Sequence, residues 1–139
     1  MNKDVDSVFM ARCFELANLA QANGESPVGS VITDSDGNIL AESAEACKAK
    51  NDITCHAEVE AIRAALGKLN TNNLSGAILY SSHEPCILCS YAIRHYGISR
   101  VVYAHTAGET GGITSVFPVL STSLIPKWGP PPEINRWGG

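Results

Sequence analysis

His56, Ala57 and Glu58 make one short run, and Pro85, Cys86, Ile87, Leu88 and Cys89 make another. One imidazole and two thiols spaced to converge form a zinc-ligand set. A tetrahedral zinc takes Cys sulfur and His nitrogen, and a catalytic site has three protein ligands with the fourth position open to water. His56, Cys86 and Cys89 are the three. Glu58 is the carboxylate left over, and a carboxylate beside metal-activated water is a natural proton carrier. Two blander readings compete. A closed structural zinc site would recruit a fourth ligand such as Cys55, His83 or Cys47 and do no catalysis. A thiol redox pair at Cys86 and Cys89 is also permitted by C-x-x-C spacing. Neither gives the His56-Ala57-Glu58 run a use.

Both ligand sets must be carried by elements that aim them at one point. Val59, Ile62, Leu66 and Leu69 recur at helical spacing, so a helix is expected from His56 to about Leu69, ended by the polar cluster Asn70 to Asn73. A second helix is expected from Cys86 to Tyr96, with Pro85 where a helix begins and Gly97 where it stops. The ligands then lie at two helix N-termini, where partial positive charge favours thiolates. Cys86 and Cys89, at i and i+3, share a helix face. His56 and Glu58, at i and i+2, do not. Both reach the metal region only if His56 stands at the helix boundary and Glu58 folds back around it.

The remaining pattern supplies a frame for these helices. Asp4 to about Ala22 is amphipathic, with Asp4 or Asp6 as a cap and Cys13 on the apolar face. Val28 to Thr33 and Ile39 to Ser43 flank a Gly-containing turn and read as a β-hairpin, followed by a small, polar loop over 44 to 55. Gly76 to Ser81 and Arg100 to Ala104 are apolar runs suited to buried strands joined by a helical crossover, hence parallel. The expected fold is α/β, a three-layer α/β/α sandwich with a mixed sheet, forming one domain over residues 1–139. His105 is read as a solvated loop residue. Ser115 to Leu120 is expected to hold a turn of helix, within a Pro-rich tail from about residue 118. Trp128 and Trp137 should pack that tail on the body or on a neighbouring subunit.

Composition narrows the functional classes. The chain is 139 residues long, 45% hydrophobic and 17% charged, the balance of a globular protein with one core. Net charge is −4, and the 10 basic residues are scattered, which argues against a large phosphate-backbone partner. The N-terminal residues lack the pattern of a signal peptide. No stretch approaches the roughly 18 apolar residues of a membrane span, so a soluble, cytoplasmic protein is expected. The 5 cysteines, two of them in C-x-x-C, suggest metal chemistry more than a disulfide framework.

H-x-E followed by P-C-x-x-C is the signature of zinc deaminases. From about Ser26 to Ala104 the chain resembles the cytidine deaminase-like superfamily, in the branch of guanine deaminases, tRNA adenosine deaminases and fungal cytosine deaminase. Ser26 to Ile32 is similar to the first strand of that family, Cys55 to Arg63 to its first zinc helix, and Leu79 to Cys89 to its second. The resemblance implies a five-stranded sheet, Zn2+ on His56, Cys86 and Cys89, Glu58 as proton shuttle, and a homodimer. It also implies substrate contacts from Val28, Glu45, Ala57, Ser82, Glu84 and His95.

Glu45 departs from the family pattern, which has asparagine eleven residues before the zinc histidine. A carboxylate there only accepts hydrogen bonds, so the substrate edge should present donors. His95 to Ile98 is similar to the fungal cytosine enzyme, although His95 also reads as a helix C-terminal residue favoured by the dipole. The tail lacks the basic helix usual in the tRNA enzymes. The expected activity is hydrolytic deamination of a small nucleobase or nucleoside, guanine- or cytosine-like, with release of ammonia. A tRNA or single-stranded nucleic-acid deaminase is second, and a non-catalytic zinc-fold binding module is the alternative of another class.

Overall fold

Strand alternation sorts the core onto two faces of one sheet. Val31, Ile78, Tyr80, Val102 and Ala104 pack against Phe9, Met10, Cys13 and Leu16. Ile32, Leu79 and Val101 point the other way, toward Ala61, Ile62, Ala65 and Ile93. The result is a helix layer on each side of the sheet. The structure, a computed structural model, describes residues 3–138. Helix α1 (Lys3–Ala22) covers the first face. Strands β1 (Gly29–Thr33) and β2 (Ile39–Ala44) form the hairpin; α2 (Ala57–Leu69), β3 (Ile78–His83), α3 (Ile87–Tyr96) and β4 (Arg100–His105) follow.

The sheet order is β2-β1-β3-β4-β5, with β5 at Glu133–Arg136. Strand β1 is antiparallel to β2 and β3, while β3, β4 and β5 run parallel. The mixed five-stranded sheet and the α/β class are therefore those expected. A Cβ on Gly29 would stand 2.3 Å from the Cys13 carbonyl oxygen, so β1 approaches α1 as closely as only glycine allows.

Several local expectations are corrected. Strand β3 starts two residues later than its apolar run. Pro85 precedes the helix N-cap, which is Cys86, so proline does not occupy the first helical turn. Ser115 to Leu120 forms no helix; the loop instead has a 3-10 turn at Gly108–Thr110. Asp6 is not a cap. Its carboxylate is buried and accepts hydrogen bonds from both terminal nitrogens of Arg100, at 2.9 and 2.7 Å, and from the Tyr80 hydroxyl at 3.0 Å. The side chain of Asp4 lies outside the described residues.

The tail packs on the body. The Arg94 guanidinium reaches out of α3 and donates to the carbonyls of Val119, Leu120, Thr122 and Gly129, with Trp128 5.1 Å away. Trp137 donates to Ser7 Oγ and lies against Phe14. Among the described residues no helix is long and apolar enough to cross a membrane.

Candidate active site

The ligand-bearing residues stand at helix boundaries. His56 is the N-cap of α2 (φ −61°, ψ 151°) and Cys86 the N-cap of α3 (φ −74°, ψ −179°). Both are extended, and neither uses its side chain to cap its helix. The rings and thiols are thus left free to converge. The bend at His56 also meets the condition set by the i and i+2 spacing, and Glu58 lines the same pocket as His56 and Cys86.

His56 Nδ1 lies 3.4 Å from each of the Cys86 and Cys89 sulfurs, and the sulfurs are 3.6 Å apart. A tetrahedral zinc, with bonds of about 2.3 Å to sulfur and about 2.0 Å to nitrogen, requires edges of roughly 3.8 and 3.5 Å. The donor set fits zinc in type and in size. Among the described residues no fourth Asp, Glu, His or Cys joins these three, whereas Cys47 groups with Glu45 and His56 instead. The site therefore keeps an open position, as a catalytic zinc does. The closed structural alternative lacks its fourth ligand.

Without metal the three groups share protons unevenly. Cys86 is pushed down to about 4 by the hydrogen bond from Cys89, helped by His56. The Cys89 thiol is driven up because it donates to Cys86 and is buried. His56 is raised to about 9, chiefly by its bond to Cys86. Glu58, 3% exposed, is raised to about 7 by burial. Its Oε2 accepts a hydrogen bond from Ser81 Oγ at 3.2 Å. That partner was not anticipated, although strand alternation from Tyr80 and Ser82 would have set Ser81 on the α2 face.

The pocket holds about 410 Å³, within the range of ligand sites. Of the residues expected to contact substrate, Val28, Glu45 and Glu84 line this pocket. Glu45 already accepts the Ala57 amide N–H at 2.7 Å, so Ala57 is buried behind it. Ser82 is also fully buried, accepting the Gly29 amide. The Glu84 carboxylate is engaged by the amides of Ala107, Ile113 and Thr114 and by the Thr114 hydroxyl. It moors the 106–114 loop, and a Cβ on Gly111 would meet it at 2.4 Å.

His95 is a correction. It lies in a separate groove between α2 and α3, with Tyr91, Tyr96, Val59 and Ile62, because its position on α3 turns it away from the N-terminal end that carries Cys86. His83, a candidate fourth ligand that the sequence also ties to the choice of ring, is a wall of the pocket, and the walls missed by sequence reasoning are Ser26, Pro27, Thr106, Ala107 and Thr110. Their signal is the loop position beside a ligand strand, which pattern alone does not rank.

Three ligands with an open position, a buried acid beside them and a ring-sized pocket on a mixed sheet define a zinc-dependent hydrolase of C–N bonds, a deaminase. The family model described as the cytidine and deoxycytidylate deaminase zinc-binding region matches residues 3–105, and the chain belongs to that family. A tRNA-specific adenosine deaminase of Aquifex aeolicus is 38% identical over 117 residues, covering 84% of this chain and 77% of that protein. A solved structure from work on A-to-I editing by tRNA:A34 deaminases superposes with a TM-score of 0.86 at 31% identity, over 94% of this chain and 98% of its own. Guanine deaminase from Bacillus subtilis gives a TM-score of 0.69 at 39% identity, over 76% and 66%.

Proposed function

We infer that this deaminase acts on a purine, with an adenosine in tRNA as the first substrate to test. The observation carrying this reading is the combined sequence and fold likeness to tRNA adenosine deaminases over almost the whole chain. It reverses the order expected from the sequence, where Glu45, the run His95 to Ile98 and a tail without a basic helix put a free base or nucleoside first. A specific observation keeps the free purine as the second reading: Glu45 offers the pocket an acceptor, and adenine has few ring donors beyond the amine it loses, whereas guanine has more. The 39% identity to a guanine deaminase supports the same reading.

His56, Cys86 and Cys89 would hold the zinc. The chemistry that zinc supplies, when bound, is acidification of a water at its open position. Glu58 takes and returns the protons. Ser81 holds Oε2, which leaves Oε1 as the atom that accepts the water proton and delivers it to the ring nitrogen, then to the departing amine. Burial raises this carboxyl to about 7, so its protonated and ionised forms are both populated near neutral pH, which suits a shuttle that must both take and give. Val28 and the loop moored by Glu84 wall the ring in.

A homodimer is part of this reading, seated on the apolar groove between α2 and α3.

The substrate is tested by ammonia release from tRNA, adenosine, guanine and cytosine. Turnover of tRNA above the free compounds is expected on the first reading, and guanine alone on the second. Cytosine as the sole substrate would contradict both.

A further inference from the structure

The chain of hydrogen bonds from β1 to the pocket fixes one ring in one form. The Gly29 amide N–H donates to Ser82 Oγ at 3.1 Å, and Ser82 is wholly buried. Ser82 Oγ also lies 3.1 Å from His83 Nδ1. Oγ has a second lone pair, but among the described residues its buried hydrogen has no acceptor other than His83 Nδ1, so the hydroxyl donates and Nδ1 is the acceptor. The tautomer follows: the proton of a neutral His83 sits on Nε2. Burial, and the His105 ring 5.2 Å away, hold the imidazole below its ordinary value, so the neutral form prevails near pH 7. Among the described residues Nε2 has no hydrogen-bond partner, while the ring lines the same pocket as Glu58 and Glu45.

Resting on the purine reading above, we propose that His83 is a specificity-determining residue that donates its Nε2–H to an acceptor nitrogen of the substrate ring. Ser82, expected as a direct contact, acts through His83 as a positioning residue. The pocket then reads a substrate with two opposite demands: a donor edge toward Glu45 and an acceptor toward His83. A purine with an amino or imino donor on one side and a bare ring nitrogen on the other, as in guanine, meets both. A contact of this kind is worth about tenfold in kcat/KM, the size of one hydrogen bond.

The test compares the native zinc protein with His83→Leu and His83→Gln on guanine and on 7-deazaguanine, which keeps the ring nitrogen, beside the amino-bearing carbon, that must take the Glu58 proton. Leucine removes the donor, whereas the glutamine amide can replace Nε2–H. With guanine, His83→Leu should lower kcat/KM about tenfold at unchanged zinc content, and His83→Gln should recover most of it. On 7-deazaguanine, which lacks the one bare ring nitrogen not needed for proton delivery, the native protein should already be as slow as the leucine variant, which should add no further loss. An equal penalty on both rings, or none on guanine, overturns the proposal. If guanine releases no ammonia from the native protein, the free-purine reading fails. The same comparison in an RNA hairpin bearing adenosine or its 7-deaza form then decides on His83 by the same criterion. Independently of any substrate, long-range nitrogen NMR of the imidazole should show His83 protonated at Nε2; a proton on Nδ1 overturns the proposal.

Discussion

Cys86, Cys89 and His56 hold different numbers of protons before metal arrives. At pH 7 the Cys86 thiol, at about 4, is already ionised, while Cys89 and His56, at about 9 for the latter, each keep a proton. Zinc requires two thiolates and a neutral imidazole, so those two protons must leave on binding. Calorimetric zinc titrations in buffers of different ionisation enthalpy should therefore show about two protons released per metal at pH 7. Affinity should rise with pH, since protons compete for two of the ligands, and the rise should become shallower above about pH 9, where His56 has lost its proton and only Cys89 still holds one. Release of three would place a proton on Cys86 and contradict the hydrogen-bond arrangement. Cys13 plays no part in this count: it is buried under β1, and its thiol is driven up by burial, as suits a small core residue.

At the scale of elements, the buried pair between Asp6 of α1 and Arg100 of β4 ties helix to sheet, and Arg100 also reaches Asn135 of β5 at 2.8 Å. Arg100 holds the Asp6 carboxyl below its ordinary value of 3.8. A depressed carboxyl contributes stability that is full above its unfolded value and is lost as pH falls through the folded one. Asp6→Asn should cost about 3 kcal/mol at pH 7, because Arg100 keeps its charge but loses its main partner. The gap between native and variant in denaturant melts should stay constant above about pH 4 and close below it. A gap that persists unchanged at pH 2 would remove the ion pair from the account. This pair was illegible in the sequence because it joins residues 94 positions apart, and Asp6 reads just as well as a helix cap. The hairpin, both ligand helices and the central strands were legible, because their apolar periodicity matches their final burial. Strand β5 was not. Glu133-Ile134-Asn135-Arg136 has no apolar run and becomes a strand only by pairing with β4 and offering partners to Arg100. The metal ligands were legible for a similar reason: spacing at helix starts is local. The mooring of the 106–114 loop by Glu84 joins distant residues, and no local pattern announces it.

For the whole molecule, one helix layer carries a surface the sheet does not need. Tyr91 and Leu88 stand 49% and 39% exposed on α3, beside the apolar groove that also holds His95. On the homodimer reading proposed above, a second copy of this chain buries them, sedimentation should report a dimer, and Tyr91→Asp should shift it to monomer. A native monomer at micromolar concentration would contradict that assembly. The tail closes the other end of the same layer, held by the buried Arg94 fork. Sheet, helices and tail together serve one arrangement: three ligands with an open position and a buried carboxyl next to it. The most direct measurement is ammonia release by the native zinc protein and by Glu58→Gln, run on tRNA and guanine with the zinc content of each sample known. The account predicts about one zinc per chain in both proteins and a fall in kcat of about 10²- to 10⁴-fold in the variant. Undiminished ammonia release from Glu58→Gln at full zinc loading would contradict it.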